Sequence, residues 1–96
     1  MSVTVSGVGQ SVADLELPSG LVVCAATVEG NNVEGYDAPD HFSIVILGDD
    51  AHELIANDIA SDGEWAAAFR VDGGSYLVEA SAARDAEWSV TCEPRS

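Results

Sequence analysis

The side chains that most often perform catalysis are few in this chain. His41 and His52 are the only histidines, and Ser43 follows His41 on the same face of an extended strand. A Ser–His pair acts as a nucleophile only beside an oxyanion-binding loop and a group that orients the histidine. The residues around His41 form neither a nucleophile elbow nor such a loop. We therefore expect no enzymatic activity.

A shared metal site for the two histidines is also unfavourable. If Gly48 to Ala51 form a hairpin turn, His52 pairs near Leu47, while His41 lies at the far end of the hairpin. At about 3.4 Å per residue this separation is roughly 20 Å. The sequence therefore predicts that the two histidines do not bind one zinc ion.

Carboxylates in turns provide a second chemical signal, for calcium. Hard cations prefer several oxygen ligands from loops, and we take four aspartates in or beside expected turns as candidate calcium ligands: Asp49, Asp50, Asp58 and Asp62. Calcium is the only cofactor that the sequence suggests. No D-x-[DN]-x-[DN]-G run occurs, and carboxylates crowd the loops of any chain this acidic by chance. The alternative is an acidic rim that is solvated and holds no metal.

The net charge excludes several classes of partner. The 96 residues include 17 acidic residues, 3 arginines and no lysine, which gives a net charge of −14 at pH 7. Affinity for phosphate comes from Lys and Arg, so the charge argues against nucleic-acid binding and against docking on anionic lipid. No apolar run approaches the roughly 20 residues needed to cross a bilayer. We expect neither nucleic-acid binding nor membrane insertion.

The acidic residues are spread along a chain that is 47% hydrophobic, which is typical of a folded domain rather than a disordered tail. Scattered carboxylates, absent lysine and many small apolar residues look like a halophilic proteome, in which concentrated salt screens surface repulsion. Two alternatives remain open. One is an acidic secreted protein from ordinary salt, and the other is a nucleic-acid mimic that captures a basic partner.

The elements that must position these residues are strands. Polar and apolar residues alternate with a period of two, and no window sustains a helical pattern. Residues 1–96 are long enough for one domain. The expected fold is all-β, a two-sheet antiparallel β-sandwich of jelly-roll-like form. We predict short hairpin connections at Pro18–Gly20 and Asp72–Gly74, and about eight short strands: Val3–Val5, Val12–Leu17, Leu21–Val28, Phe42–Gly48, His52–Asn57, Glu64–Val71, Ser75–Ala80 and Glu87–Cys92.

The same alternation assigns side chains to the core. Trp65 and Phe69 share one face of their strand, and Trp88 shares the inward face of the last strand with Cys92. Cys24 also faces inward, so a Cys24–Cys92 disulfide would tie the third strand to the last. In the loop-entropy model such a bridge stabilises the fold by about 4 kcal/mol. Two buried free thiols are the alternative.

A disulfide would place the domain outside the cytosol, in an extracellular or cell-surface location. Residues 1–20 contain neither a basic start nor an apolar stretch, so we expect no signal peptide within them. The longest loop runs from Glu29 to Asp40, and its Tyr36 is the best candidate for an exposed aromatic residue that binds a ligand.

Several short patterns together resemble a known family of accessory domains. They are Gly7-x-Gly9-Gln10-x-Val12, Leu17-Pro18-Ser19-Gly20-Leu21, Phe42-Ser43-Ile44-Val45-Ile46-Leu47, Leu54-Ile55-Ala56-Asn57, Gly74-Ser75-Tyr76-Leu77-Val78-Glu79-Ala80 and Glu87-Trp88-Ser89-Val90. Over roughly Val5 to Cys92 the chain resembles the small β-sandwich domains of secreted prokaryotic proteins, similar to bacterial pre-peptidase C-terminal domains. The cysteine pair and the extreme acidity depart from the usual pattern.

The resemblance implies a non-catalytic accessory or binding module of a secreted or cell-surface protein. Its partners would be the rest of a larger secreted protein or a surface ligand, and no catalytic or ligand-binding residue is carried over from the family. The rival from another class is an acidic protein that captures a basic partner in the manner of a nucleic-acid mimic.

Overall fold

All regular structure in the described part of the chain is β-strand. A computed structural model describes residues 2–49 and 52–95, and in these residues it contains eight strands and no helix, as the alternating pattern predicts. No helix among these residues is therefore long and apolar enough to cross a membrane. The strands are β1 (Val3–Val8), β2 (Ser11–Leu17), β3 (Gly20–Glu29), β4 (His41–Leu47), β5 (His52–Ile59), β6 (Gly63–Val71), β7 (Gly74–Ser81) and β8 (Glu87–Arg95).

The strands form two four-stranded antiparallel sheets packed against each other. The order is β1-β8-β3-β6 in the first, called here the β1 sheet, and β2-β7-β4-β5 in the second, called the β2 sheet. This order is the jelly-roll connectivity, in which two Greek keys wrap into a sandwich. The expected two-sheet antiparallel sandwich is confirmed.

The predicted hairpins at Pro18–Gly20 and Asp72–Gly74 are wrong. β2 and β3 belong to different sheets, and so do β6 and β7, so both turns carry the chain from one sheet to the other. In the described residues only β4 and β5 are consecutive strands that pair with each other. A short glycine-containing turn reverses the chain in either case, and long-range strand pairing decides which sheet the next strand joins.

The core lies between the inward faces of the two sheets. Alternate residues of β3, β4, β7 and β8 are almost fully buried, and Phe42 and Trp88 are the largest central side chains. The inward placement predicted for Trp88, Phe69 and both cysteines is confirmed. Trp65 also faces inward but stays half-buried at the rim, where its ring lies 5.3 Å from that of Phe42.

A β-bulge interrupts the strict alternation in the edge strand β5. Ile44 pairs with Ala56 and Val45 pairs with Leu54, so Ile55 is an extra residue. Ile55 and Ala56 are therefore both buried although they are neighbours in sequence. A bulge at a sheet edge also disrupts the row of backbone groups on which another chain would pair.

β1 is longer than predicted because a glycine lets it pass close to a tryptophan. Gly7 pairs with Trp88 across β1 and β8, and a Cβ atom on Gly7 would lie 2.7 Å from Cζ2 of the indole. The turn follows at Gly9, which has a φ of 69°. The Trp88 Nε1 donates a hydrogen bond of 3.1 Å to the Gly9 carbonyl, so the indole fixes both the strand and its turn.

A disulfide joins the two central strands of the β1 sheet. Cys24 lies directly opposite Cys92 in the pairing of β3 with β8, and their sulfur atoms are bonded at 2.02 Å. The predicted pairing is confirmed, and neither cysteine is free.

Candidate functional site

Four connections gather at one end of the sandwich, called here the four-loop end. Odd-numbered strands run towards this end and even-numbered strands run away from it, because the pairings are all antiparallel. The four-loop end consists of the connections between β1 and β2, β3 and β4, β5 and β6, and β7 and β8. It contains the long loop that the sequence singles out, and the opposite end has shorter turns.

One buried side chain organises the four-loop end. Asn31 is fully buried, and its Nδ2 donates to the carbonyls of Asp40 at 2.8 Å and Ala60 at 2.9 Å. Its Oδ1 accepts a hydrogen bond of 2.7 Å from the Ala83 amide. The Asn31 side chain thus ties together the loops that follow β3, β5 and β7. A buried polar network whose members are all satisfied holds its surroundings in one arrangement.

Further hydrogen bonds join two of these loops, those that follow β3 and β5. The backbone amide of Asn31 donates to the Ser61 carbonyl at 2.9 Å, and the Ser61 hydroxyl donates to Oδ1 of Asn32 at 2.5 Å. The Gly30 amide donates to Oδ1 of Asp62 at 3.1 Å. The base of the long loop is therefore fixed by its neighbours, and its position does not depend on its own sequence alone.

The long loop presents Tyr36 to solvent at its tip. The Val33 amide bonds to the Ala38 carbonyl at 2.8 Å, and the Tyr36 amide bonds to the Val33 carbonyl at 2.9 Å, which closes a tight turn over residues 33–36. Gly35 supplies a φ of 80° in this turn. The Tyr36 side chain is 73% exposed, so the predicted exposure is confirmed. Its predicted binding role stays a prediction.

An exposed ion pair reaches the tip from a neighbouring loop. Nη1 of Arg84, in the β7–β8 connection, lies 3.0 Å from Oε1 of Glu34, beside the tip. Both side chains are largely exposed, and ion pairs of this kind contribute about 0–1 kcal/mol. The pair therefore orients the tip only weakly, and the Asn31 network carries the fixed geometry of the loop base.

The structure places three of the four calcium candidates, and these three lie at two separate locations. Asp58 and Asp62 lie at the four-loop end, whereas Asp49 follows β4 at the opposite end, and Asp50 lies outside the described residues. Asp58 accepts a bond from the Ile59 amide through Oδ1. No three His, Cys, Asp or Glu side chains within 2–49 and 52–95 come together as metal ligands. Asp49 therefore does not share an ion with the other pair, and calcium binding stays a prediction.

The two histidines lie at opposite ends of the β4–β5 hairpin, as predicted. His41 pairs with Ile59, and His52 pairs with Leu47. The ring Nε2 of His41 is 2.7 Å from Oδ1 of Asn57 on the neighbouring strand. His41 is thus engaged by an amide in a polar contact on the outer face of the β2 sheet.

An open groove of about 480 Å³ occupies the opposite end of the sandwich. Its charged lining residues are Arg70, Asp49 and Asp72, and the Tyr76 hydroxyl donates to the Asp72 carbonyl. A Cβ atom on Gly48 would lie 2.5 Å from the Tyr76 ring, so a glycine is required where the ring crosses the backbone. The groove therefore presents both positively and negatively charged side chains.

Comparison with known proteins leaves the family open. No protein-family model matches the chain, and no curated protein matches it at a significant level. The resemblance to pre-peptidase C-terminal domains therefore stays a prediction.

Sequence reasoning missed the residue on which the candidate site depends. Asn31 and Asn32 are adjacent in a loop rich in Gly, Asn and acidic residues, and asparagine is common in such loops for local reasons. Nothing in the sequence separates the fully buried Asn31 from its half-buried neighbour. The distinction comes from three loops that meet only after the sheets have paired.

Proposed function

We propose that the protein is a non-catalytic accessory module of a secreted or cell-surface protein, and that it binds a surface ligand through the four-loop end. The observation that carries this proposal is the Asn31 network, which fixes the bases of three loops beneath the exposed Tyr36. Binding residues in sandwich folds are often presented by loops on a rigid scaffold. An exposed aromatic ring supplies stacking area at low cost in side-chain entropy.

The Cys24–Cys92 disulfide is compatible with an extracellular location, and it supports placing the module outside the cytosol. The charge of −14 supports adaptation to concentrated salt. On this proposal the partners are the remainder of a larger secreted protein and a ligand at the cell surface, such as a polysaccharide.

Affinity electrophoresis in gels that contain single polysaccharides tests the binding function. We expect at least one polysaccharide to retard the protein, and Tyr36→Ala to remove most of this retardation. Val33→Ala is the matched control, because Val33 is a less exposed apolar residue of the same loop. If Tyr36→Ala left the retardation unchanged, the tip of the long loop would have no role in binding.

The rival function is capture of a basic partner, and the distribution of acidic residues favours it as a second candidate. None of the acidic side chains in the described part of the chain is buried, so their carboxylates are available to a cationic surface. Diffuse attraction fades as salt shortens the screening length. Binding of lysine-rich proteins that persists at about 0.5 M salt would favour this rival.

A further inference from the structure

The outer face of the β2 sheet carries a group of uncovered apolar side chains. Three of them are strongly exposed, namely Val12 at 59%, Leu54 at 53% and Leu77 at 42%. Val45 and Leu47 lie beside them and are half-buried. We call these five residues the outer apolar patch. Apolar side chains that cluster on one face mark a site of interaction more strongly than single exposed residues do.

Strand register shows how the members of the outer apolar patch are arranged. Val45 lies directly opposite Leu54, and Leu47 lies directly opposite Leu77. Val45 and Leu47 are two residues apart on β4, so these two pairs form adjacent rows. Val12 lies on β2, one strand beyond β7. The outer apolar patch therefore extends across all four strands of the sheet.

The outer face of the β1 sheet is different in character. There, the hydroxyl groups of Thr4 and Thr91 are hydrogen-bonded at 3.0 Å, and those of Thr27 and Ser89 at 2.7 Å, so part of that face carries hydroxyl groups paired with one another. Inward and outward side chains alternate along the strands of both sheets, so nothing in the fold requires apolar side chains on either outer face. Val8 is the one strongly exposed large apolar side chain on the described part of that face, whereas the outer face of the β2 sheet has Val12, Leu54 and Leu77. This excess of exposed apolar side chains indicates that the β2 sheet has a partner.

A carboxylate lies among the side chains of the outer apolar patch and restricts the chemistry of a partner that can bind there. Glu79 lies directly opposite Val12 on one side and Val45 on the other. Asp14 lies opposite Leu77 at the edge of the same group. A molecule that covers the apolar side chains must also cover Glu79. Burial of a carboxylate without a cation is strongly unfavourable.

We propose that the outer apolar patch docks a cationic polypeptide segment of another protein, which places an arginine or lysine against Glu79 and apolar side chains around it. Charge complementarity supports this occupant, because the chain carries −14 and any basic partner is attracted to it. A second copy of the chain fits poorly, since a symmetric contact would bring Glu79 and Asp14 of both copies together. This docking surface is separate from the four-loop end.

Three synthetic peptides of equal length separate specific docking from diffuse attraction. The probe is a fluorescent 12-residue peptide of alternating valine and arginine. One comparison peptide replaces valine with serine, and the other replaces arginine with glutamate. We expect the valine–arginine peptide to bind at 0.5 M NaCl at least about tenfold more tightly than the serine peptide, because apolar burial survives salt screening. The glutamate peptide should not bind.

Paired variants locate the surface. We expect the double variant Leu54→Ser, Leu77→Ser to weaken binding of the valine–arginine peptide about tenfold, and Glu79→Gln to weaken it several-fold. The matched controls lie on the β1 sheet: Val8→Ser changes a residue that is 56% exposed on β1, and Glu93→Gln removes an exposed carboxylate from β8. Both controls should change the dissociation constant less than twofold. All these residues are exposed, so the fold should be retained.

Several results would overturn the proposal. If Glu93→Gln weakened binding as much as Glu79→Gln and the Leu54→Ser, Leu77→Ser variant had no effect, the net charge alone would attract the peptide. Sedimentation that reveals a dimer, abolished by Leu77→Ser, would assign the outer apolar patch to a second copy. Tyr36→Ala should leave peptide binding unchanged, so a failure of this docking surface is distinguishable from a failure of the four-loop end.

Discussion

At the scale of single residues, Asn31 has the largest structural effect for its size. Asn31→Ala would remove three hydrogen bonds, those to the carbonyls of Asp40 and Ala60 and from the Ala83 amide. The Asp40 carbonyl would keep its bond from the Ala60 amide at 3.1 Å. An unsatisfied buried polar group costs about 1–3 kcal/mol. We expect Asn31→Ala to lower the free energy of unfolding by about 2–4 kcal/mol, measured by urea denaturation with the disulfide intact.

Asn32→Ala is the matched control for this prediction. Asn32 is half-buried, and its side chain has one partner, the Ser61 hydroxyl. Its removal should cost no more than about 1 kcal/mol, the ordinary net contribution of one hydrogen bond. If both alanine variants unfold at the same urea concentration, the Asn31 side chain does not hold the three loops together.

At the scale of strands, Gly7 tests how β1 is packed. A methyl group on Gly7 would meet the Trp88 ring at 2.7 Å. That ring is almost fully buried, and its Nε1 is held by Gly9. Overpacking of this kind costs about 1–3 kcal/mol, so we expect Gly7→Ala to lower the unfolding free energy by that amount. Ser6→Ala is the control, since Ser6 faces outward on the same strand, and it should change stability by less than about 0.5 kcal/mol.

The disulfide is the second test at this scale. It joins β3 and β8, which are separated by 68 positions in sequence. The loop-entropy model assigns about 4 kcal/mol to such a link, and small domains have only about 5–15 kcal/mol in total. We expect the double variant Cys24→Ala, Cys92→Ala to unfold at a much lower denaturant concentration. A variant with an unchanged midpoint would show that strand pairing alone holds these two strands.

Strands could be predicted from the sequence to a greater extent than their connections. Period-two alternation located every strand, because burial on one face imposes that period locally. The bulge at Ile55 escaped prediction, since two adjacent apolar residues occur in many regular strands. The crossings at Pro18–Gly20 and Asp72–Gly74 also escaped, because the sheet that a strand joins depends on partners far away in sequence. The Asn31 network depends on those same crossings.

At the scale of the whole molecule, acidic residues meet one another across the strands. Glu29 lies directly opposite Glu87 in the pairing of β3 with β8, and both are exposed. Like charges at such positions are destabilising by about 0.2–1 kcal/mol. We expect Glu87→Gln to raise the thermal midpoint at low salt, and this gain to vanish near 1 M NaCl. A gain that stays constant with salt would assign the effect to something other than repulsion.

The same physics predicts the response of the whole domain to salt. The chain has a net charge of −14 and only 3 arginines, one of which, Arg84, forms an exposed ion pair with Glu34. Most carboxylates therefore face solvent without a cation nearby. The screening length falls from about 10 Å at 0.1 M to about 3 Å at 1 M, which weakens repulsion between neighbouring carboxylates. We therefore expect the thermal midpoint of the unmodified protein, measured by circular dichroism, to rise steadily between low and molar NaCl.

KCl should give the same rise, because screening depends on ionic strength and not on the cation. A flat or falling midpoint in both salts would contradict adaptation to brine and favour an acidic surface that serves only solubility.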